Sequence, residues 1–192
     1  GAATVVNGSD ARWTGSSLTF TGGTKTSSSA DWVRLPDDLL AGGQSATITV
    51  ETKFDASMAS SAHFLWNIGD DSTSSYYFTT LKDKARTAIT TSSNPGEINA
   101  RTAQSLTADR WYSVTSVIDG TAGTITFYID GVRVAQSRTA LTPAAITKQT
   151  LNTIGRSPWP DPFYKGEVSA FRVYDRALAA DEVTAVSAAD AA

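Results

Sequence analysis

The sequence of 192 residues predicts an all-β domain in which two antiparallel sheets pack face to face. The segment "ATITVETKF" (Ala46–Phe54) alternates between apolar and polar residues, which is the pattern of a strand with one buried face. Similar runs recur along the chain, and residues typical of turns separate them. The other runs are "HFLWNIG", "SYYFTTLK", "ARTAITT", "WYSVTSVID", "TITFYID", "VRVAQS" and "VSAFRVY". Together with two short early segments, they predict roughly a dozen strands.

One hairpin and one helix are predicted most clearly among the local elements. In "TFYIDGVRVA", Asp130 and Gly131 separate two alternating runs, which predicts a two-residue type I′ turn. The segment "AADEVTAVSAADAA" predicts a short C-terminal helix capped near Asp181, and "PDDLL" predicts a single helical turn. No linker divides the chain, so we expect one domain over residues 1–192, with its core at 18–186 and a tail at 187–192.

The composition excludes several classes of function. Sixteen basic and nineteen acidic residues give a formal net charge of −3 without any basic run, so neither nucleic acid nor an anionic membrane is an expected partner. The chain has no cysteine, which excludes disulfides and thiol catalysis, and its one histidine, His63, leaves few ways to build a catalytic triad or a zinc site. The low charged fraction of 18% fits an extracellular protein, and we expect a monomer.

A loop rich in proline and aromatic residues is the first candidate binding site. "RSPWPDPFY" brings Arg156, Trp159, Asp161 and Tyr164 within nine residues. Sugars present an apolar face that stacks on aromatic rings, and their hydroxyl groups bind planar polar side chains. We therefore expect Trp159 to form an exposed platform at the rim while Phe163 turns inward. The alternative is a packed plug over one end of the sandwich, in which Arg156 pairs only with Asp161.

The strand "HFLWNIG" adds two polar candidates. Strict alternation would place Phe64, Trp66 and Ile68 in the core, and would turn His63 and Asn67 outward toward a groove. We therefore count His63 and Asn67 among the residues that bind sugar.

Neighbouring strands supply Tyr77 and Arg86 as further candidates. In "SYYFTT", Tyr76 shares a face with Phe78 and Tyr77 opposes them, so one tyrosine is buried and the other exposed. Arg86 and Glu97 are polar residues near these strands, and a solvated surface is the simpler interpretation for both. The remaining tryptophans, Trp13, Trp32 and Trp111, are interpreted as structural.

The carboxylates and the histidine give little support for catalysis. Retaining glycosidases need two carboxyl groups about 5 Å apart, and the nearest match is Glu51 with Asp55, where the strand ends. A polysaccharide lyase would need a base such as His63 beside Asn67 and Arg86, but no companion motif follows. We predict that the chain has no catalytic activity, with a jelly-roll lyase or hydrolase as the remaining alternative.

The order of these segments resembles a known family. The strings "WYSV", "TFYIDG", "IGRS" and "FRVYDRAL" are similar to those of laminin-G-like, concanavalin A-like jelly-roll modules that are appended to bacterial secreted glycoside hydrolases. The resemblance covers residues 18–186. It implies a carbohydrate-binding module in the same polypeptide as a catalytic domain, with arabinose- or galactose-containing plant cell-wall polysaccharides as ligands. Some modules of the family have no known ligand, so a structural module that packs against the catalytic domain is the alternative.

The resemblance also bears on calcium. Similar modules often carry an Asp-Glu pair in the last strand, where this sequence has Ser169 and Ala170. No cofactor is therefore required, and Gly22, Gly23 and Asp31 are the remaining candidates for a structural calcium site.

Overall fold

The computed structural model describes residues 1–8, 12–24, 26–58, 63–81 and 84–190, which form a β-sandwich with one helix. The strands in these residues are β1 (Thr4–Val6), β2 (Arg12–Trp13), β3 (Leu18–Gly23), β4 (Trp32–Arg34), β5 (Ala46–Phe54), β6 (Phe64–Gly69), β7 (Tyr76–Thr80), β8 (Arg86–Thr90), β9 (Ile98–Arg101), β10 (Trp111–Asp119), β11 (Thr124–Ile129), β12 (Val132–Arg138), β13 (Thr153–Ile154) and β14 (Phe163–Tyr174). The helix is α1 (Ala180–Asp190).

The strands form two sheets of seven strands each among the described residues. The front sheet has the order β1-β4-β13-β6-β7-β8-β9, and the back sheet has the order β12-β11-β10-β5-β14-β3-β2. All strand pairs among the described residues are antiparallel. The predicted all-β jelly-roll sandwich is confirmed.

The main core lies between the two sheets. Strand β5 follows its alternation, since Ile48 and Val50 are fully buried in the core while Thr47 and Thr49 lie on the opposite face. That opposite face is also covered, because Leu178 and Val183 from the C-terminal segment pack against β10 and β11. The back sheet is therefore buried on both faces near α1, and open beyond it.

A bulge in β6 changes which residues of this strand face the core. The register shifts between Phe64 and Trp66. Leu65, Trp66 and Ile68 belong to the main core, whereas Phe64 joins a second aromatic cluster on the outer face of the front sheet. The burial of Trp66 is as predicted, but the strict alternation of Phe64 and Leu65 was wrong. An inserted residue in one strand reverses the faces of the residues on one side of it.

The predicted hairpin and helix are both present. Asp130 and Gly131 have φ of 51° and 74°, and Ile129 pairs with Val132, as a two-residue type I′ turn requires. Helix α1 continues to Asp190, so residues 187–190 are helical rather than a frayed tail. Its first turn is fixed by Glu182, which accepts a hydrogen bond from the Ala179 backbone N–H at 2.8 Å. The segment "PDDLL" forms turns without a helix.

Candidate functional site

An aromatic cluster covers the centre of the front sheet on its outer side. Phe64, Tyr76 and Phe78 project from β6 and β7, and the half-buried indole of Trp159 packs on all three; we call these four residues the front aromatic face. The Trp159 ring stacks on Phe64 with a centroid distance of 5.2 Å, and meets Tyr76 edge-on at 4.6 Å. Trp159 therefore packs onto the aromatic residues of the sheet instead of projecting as a free platform at the rim.

The loop that carries Trp159 is fixed by its own polar contacts. Ser157 Oγ accepts a hydrogen bond from the Trp159 N–H at 3.2 Å and lies 3.3 Å from the Asp161 carboxylate. Thr153 Oγ1 donates to the Arg156 carbonyl at 2.6 Å, and the Arg156 guanidinium lies over the Trp32 ring, 4.7 Å from its centroid. Because these contacts hold the loop, little conformational entropy would be lost when it meets a ligand.

The sequence predicted that Phe163 turns inward and anchors this loop, and this prediction is wrong. Phe163 opens β14, is half-buried, and lines a cavity with Met58 and His63. Arg156 stacks on Trp32, so the alternative in which Arg156 pairs only with Asp161 is also wrong.

A charged group borders the front aromatic face. The Arg86 guanidinium lies over the Phe78 ring, 5.1 Å from its centroid, and its Nη1 lies 3.0 Å from Glu97 Oε1. This contact is Coulombic, since Oε1 accepts no hydrogen bond, whereas Glu97 Oε2 accepts one from the Tyr76 hydroxyl at 3.2 Å. The Glu97 side chain is only 3% exposed, and burial raises its pKa, although Arg86 and Tyr76 oppose the rise. Glu97 is thus a buried carboxylate and does not belong to a solvated surface.

Two predicted binding residues lie in the core. Tyr164 is fully buried, and its hydroxyl hydrogen-bonds Thr52 Oγ1. Tyr77 is also fully buried, with its hydroxyl 2.6 Å from Ser116 Oγ. Burial raises the pKa of both phenols. Neither side chain is open to a ligand, so both are removed from the candidate site.

His63 and Asn67 are also buried, contrary to the exposure that strict alternation predicted. Asn67 lies on the outer side of the front sheet with no exposed surface, and neither polar atom of its amide hydrogen-bonds the protein. His63 is 4% exposed and lines the cavity that also contains Phe163. Arg86 contacts Glu97 and Phe78 instead of His63, so the described contacts do not assemble the histidine-centred lyase site that was the alternative.

The calcium candidates lie outside any cluster of acidic side chains among the described residues. Asp31 is fully buried and accepts hydrogen bonds from the Thr21 N–H and Oγ1, at 3.0 and 3.2 Å. A Cβ on Gly22 would meet the aliphatic part of the Lys165 side chain, with the Lys165 Cβ at 2.8 Å. No group of three or more acidic, histidine or cysteine side chains converges within the described part of the chain. A structural calcium site that uses backbone carbonyls near Gly22 and Gly23 together with Asp31 stays a prediction.

The back sheet carries a cavity that the sequence did not predict. This back cavity has a volume of about 690 Å³ and is lined by Ser16, Glu51, Arg110, Trp111, Ser113, Asp130, Ser169, Thr184, Ser187 and Ala188. Trp111 is 37% exposed, and Trp13, at the edge of the same sheet, is 66% exposed, so neither has the buried structural role expected of it. The alternation in "RWYSV" could have predicted this exposure. Tyr112 and Val114 are buried, so Trp111 and Ser113 lie on the opposite face of the strand.

The glycosidase pair considered from the sequence does not form. Glu51 lines the back cavity, whereas Asp55 lines a different cavity and bonds Ser57 and Lys165. Four residues along a strand span roughly 13 Å, well beyond the separation that a retaining mechanism needs.

Known structures share this fold across almost the whole chain. Domain 4 of AbnA, a GH43 extracellular arabinanase from Geobacillus stearothermophilus solved with arabinotriose, matches with a TM-score of 0.70 and 16% identity, over 97% of this chain and 82% of that one. The CBM40 of the Ruminococcus gnavus IT-sialidase, bound to α2,3-sialyllactose, matches with a TM-score of 0.71 and 13% identity, over 89% and 96%. A SAP-like pentraxin from Limulus polyphemus matches with a TM-score of 0.65 and 14% identity, over 89% and 81%. At these identities the likeness concerns the fold.

The family is shown by sequence. No curated protein matches the chain, and within the described residues no helix is long and apolar enough to cross a membrane. A family model does match residues 27–184, which is most of the chain. With its two-sheet jelly roll, this chain belongs to the concanavalin A-like lectin/glucanase superfamily.

Proposed function

We propose that this chain is a non-catalytic carbohydrate-binding module that targets an extracellular glycoside hydrolase to a polysaccharide. Arabinose- or galactose-containing plant cell-wall glycans are the proposed ligand class. The module would share a polypeptide with the catalytic domain and raise its concentration at the substrate. Two solved structures with this fold carry arabinotriose and α2,3-sialyllactose, which supports a sugar as the ligand.

The observation that carries the proposal is the fixed, half-buried indole of Trp159, which lies with the charged Arg86 side chain around Phe78. Its ring is held in place by Phe64 and Tyr76, so it offers a preoriented surface to the C–H face of a sugar. Arg86, with its side chain 23% exposed, lies at the border of this face and can donate to sugar hydroxyl groups. Few groups converge here, so the affinity of one site is expected to be weak.

A structural module is the second candidate, and one observation favours it. Trp159 packs against three aromatic residues that are each at most 4% exposed, which is the arrangement of a plug that seals the sheet. In that case the loop would stabilise the sandwich and bind no sugar.

Affinity electrophoresis against arabinan, galactan and other plant and microbial polysaccharides separates the two functions. We expect at least one polymer to retard the wild-type chain, Trp159→Ala to lose most of this retardation, and the control Trp13→Ala to keep it, because Trp13 is exposed away from the front aromatic face. A folded wild-type chain that no polymer retards would contradict the proposed function. Retardation that survives in Trp159→Ala would move the site away from this face.

A further inference from the structure

We propose that the back cavity is a second sugar site, which binds one neutral sugar residue through neighbouring hydroxyl groups. The inference rests on the proposed function and extends it, because it gives the module two binding surfaces on opposite sheets. The cavity volume of about 690 Å³ lies within the range of about 300–1,000 Å³ typical of small-molecule sites.

The floor of the back cavity is polar and buried. Glu51 on β5 and Ser113 on β10 are direct cross-strand partners, and they are 6% and 4% exposed. Ser113 Oγ makes no hydrogen bond to the protein, although it is buried and lines the cavity. A buried hydroxyl without a partner is unfavourable, so a ligand hydroxyl that bonds it would relieve this cost. The two oxygens of a carboxylate can accept from adjacent hydroxyl groups of one sugar.

One wall of the back cavity provides an aromatic surface. Trp111 begins β10 and is 37% exposed, and Lys53 Nζ lies 5.3 Å from its ring centroid. Lys53 is in turn held by Glu167, with Nζ 2.6 Å from Oε1. This chain of contacts restrains the indole, which can then pack on the C–H face of a sugar whose hydroxyl groups reach the floor.

Hydrogen bonds connect another part of the lining, which comprises residues of the Asp130-Gly131 turn, β10 and α1. Asp130 Oδ2 lies 2.7 Å from Arg110 Nη2, and Asp130 Oδ1 accepts the Ser113 backbone N–H at 3.0 Å. Thr184 Oγ1 on α1 lies 3.1 Å from the Gly131 carbonyl, to which it donates. A Cβ at Gly131 would come within 3.1 Å of Thr184 Cα, so glycine lets α1 approach the turn this closely.

The charges of the back cavity select against acidic sugars. Among the described lining residues, Glu51 and Asp130 are carboxylates and Arg110 is a cation. Arg110 already pairs with Asp130. A sugar carboxylate beside Glu51 would be repelled, whereas neutral hydroxyl groups meet both acceptors and donors, including the Ser169 side chain that a bulge in β14 brings to the lining.

Indole N–H signals in nitrogen-15 NMR spectra test the second site directly. The probes are arabinotriose, galactose, lactose and α2,3-sialyllactose, each at about 50 mM, which exceeds the millimolar Kd expected of one weak site. The Trp111 signal is assigned by its loss in Trp111→Ala. We expect a neutral probe to shift it in the wild type and equally in Trp159→Ala, and we expect sialyllactose to shift it less than lactose.

Two variants connect the shift to the cavity floor. Glu51→Gln should raise the Kd for the probe that shifts the Trp111 signal by about tenfold or more. Ser113→Ala should raise the same Kd by roughly fivefold. Thermal unfolding of each variant shows whether it folds, and Ser113→Ala, which leaves the carboxylate in place, tests the floor even if Glu51→Gln does not fold.

Each remaining outcome is decisive. If no neutral probe shifts Trp111 while Trp159 responds, the second site is overturned and the proposed function stands. If neither indole responds and no polymer retards the chain, both fail. A Trp111 shift that is as large with sialyllactose as with lactose would overturn the assignment of a neutral sugar, and a shift unchanged in both floor variants would place the ligand outside the cavity.

Discussion

Burial of individual aromatic residues decides which of them can meet a sugar. Tyr77 and Tyr164 lie in the core with their hydroxyls bonded to Ser116 and Thr52, whereas Trp159 and Trp111 keep exposed surface. The sequence places all four in similar alternating or loop segments. Side-chain chemistry alone does not separate them, because tyrosine and tryptophan are common both in cores and at binding surfaces.

Removal of the Tyr164 hydroxyl should cost stability and leave sugar binding intact. In Tyr164→Phe the hydrogen bond to Thr52 is lost, but Thr52 Oγ1 keeps its bond to the Glu167 carbonyl at 2.8 Å. We expect a loss of about 0.5–1.5 kcal/mol in the free energy of unfolding, measured by denaturant titration. Tyr77→Phe is the matched control for a second buried hydroxyl. Weaker polysaccharide binding by either folded variant would return that residue to the site.

Loss of the Arg86 charge should destabilise the front sheet in a pH-dependent way. Burial holds the pKa of Glu97 above its usual value and Arg86 opposes this, so Arg86→Met should raise that pKa further. A raised carboxyl pKa means that stability falls as pH rises from the unfolded pKa through the folded one. Arg86→Met should therefore lose about 1–3 kcal/mol at pH 7 and recover part of it toward pH 4.

The control for the Arg86 prediction removes the buried charge. In the double variant Arg86→Met with Glu97→Gln, the difference in unfolding free energy between pH 7 and pH 4 should be smaller than in Arg86→Met alone. Equal pH dependence in the single and double variants would contradict an uncompensated Glu97 carboxylate as the cause.

Among the elements, regular periodicity was predictable and its interruptions were not. The alternation in β5 and the turn at Asp130-Gly131 were read directly from the sequence. The bulges in β6 and β14 were not, and they bring Phe64 to the front aromatic face and Ser169 to the back cavity. A bulge depends on how the partner strands pair, so local sequence carries little signal for it.

The contact between α1 and the β11–β12 turn should make Gly131 less tolerant than other glycines. Gly131 and Gly42 both have φ of 74°, but a Cβ on Gly42 meets nothing within 4 Å while one on Gly131 approaches Thr184 Cα at 3.1 Å. Gly42→Ala should cost about 1 kcal/mol through backbone strain alone. Gly131→Ala should cost clearly more in thermal or denaturant unfolding, and equal losses would contradict the close packing of α1.

The start of α1 should lose protection in acid. Glu182 binds the Arg176 guanidinium and the Ala179 N–H, and these contacts lower its pKa from 4.5 to about 2. Because the folded pKa is depressed, the stabilisation is present above about pH 4.5 and is lost as pH falls toward 2.

Amide hydrogen exchange measures this effect on α1. Glu182→Gln should reduce the protection of its first turns at pH 6 more than the neighbouring Asp181→Asn does, and the difference between Glu182→Gln and the wild type should shrink at pH 2. A difference that is the same at both pH values would assign the effect to something other than the carboxylate charge.

At the scale of the whole molecule, the fold follows from the sequence more completely than the site does. Repeated alternation and turn residues sufficed for a two-sheet sandwich. Trp159 and Arg86 were named as candidates and lie near each other around Phe78, but the pairing of Arg86 with buried Glu97 and the exposure of Trp111 depend on contacts between distant strands. Such contacts are set by register and loop packing, which a single sequence does not specify.

Sedimentation velocity of the chain after long incubation with a polysaccharide that retards it tests binding without cleavage most directly. Absorbance follows the five tryptophans of the protein, while interference optics follow the mass of the polymer. We expect part of the protein to sediment with the polymer, and the polymer boundary to stay unchanged. A polymer boundary whose sedimentation slows with incubation time would show cleavage. A protein boundary that sediments at the same rate with and without the polymer would show that no binding occurs. Either result would contradict a non-catalytic binding module.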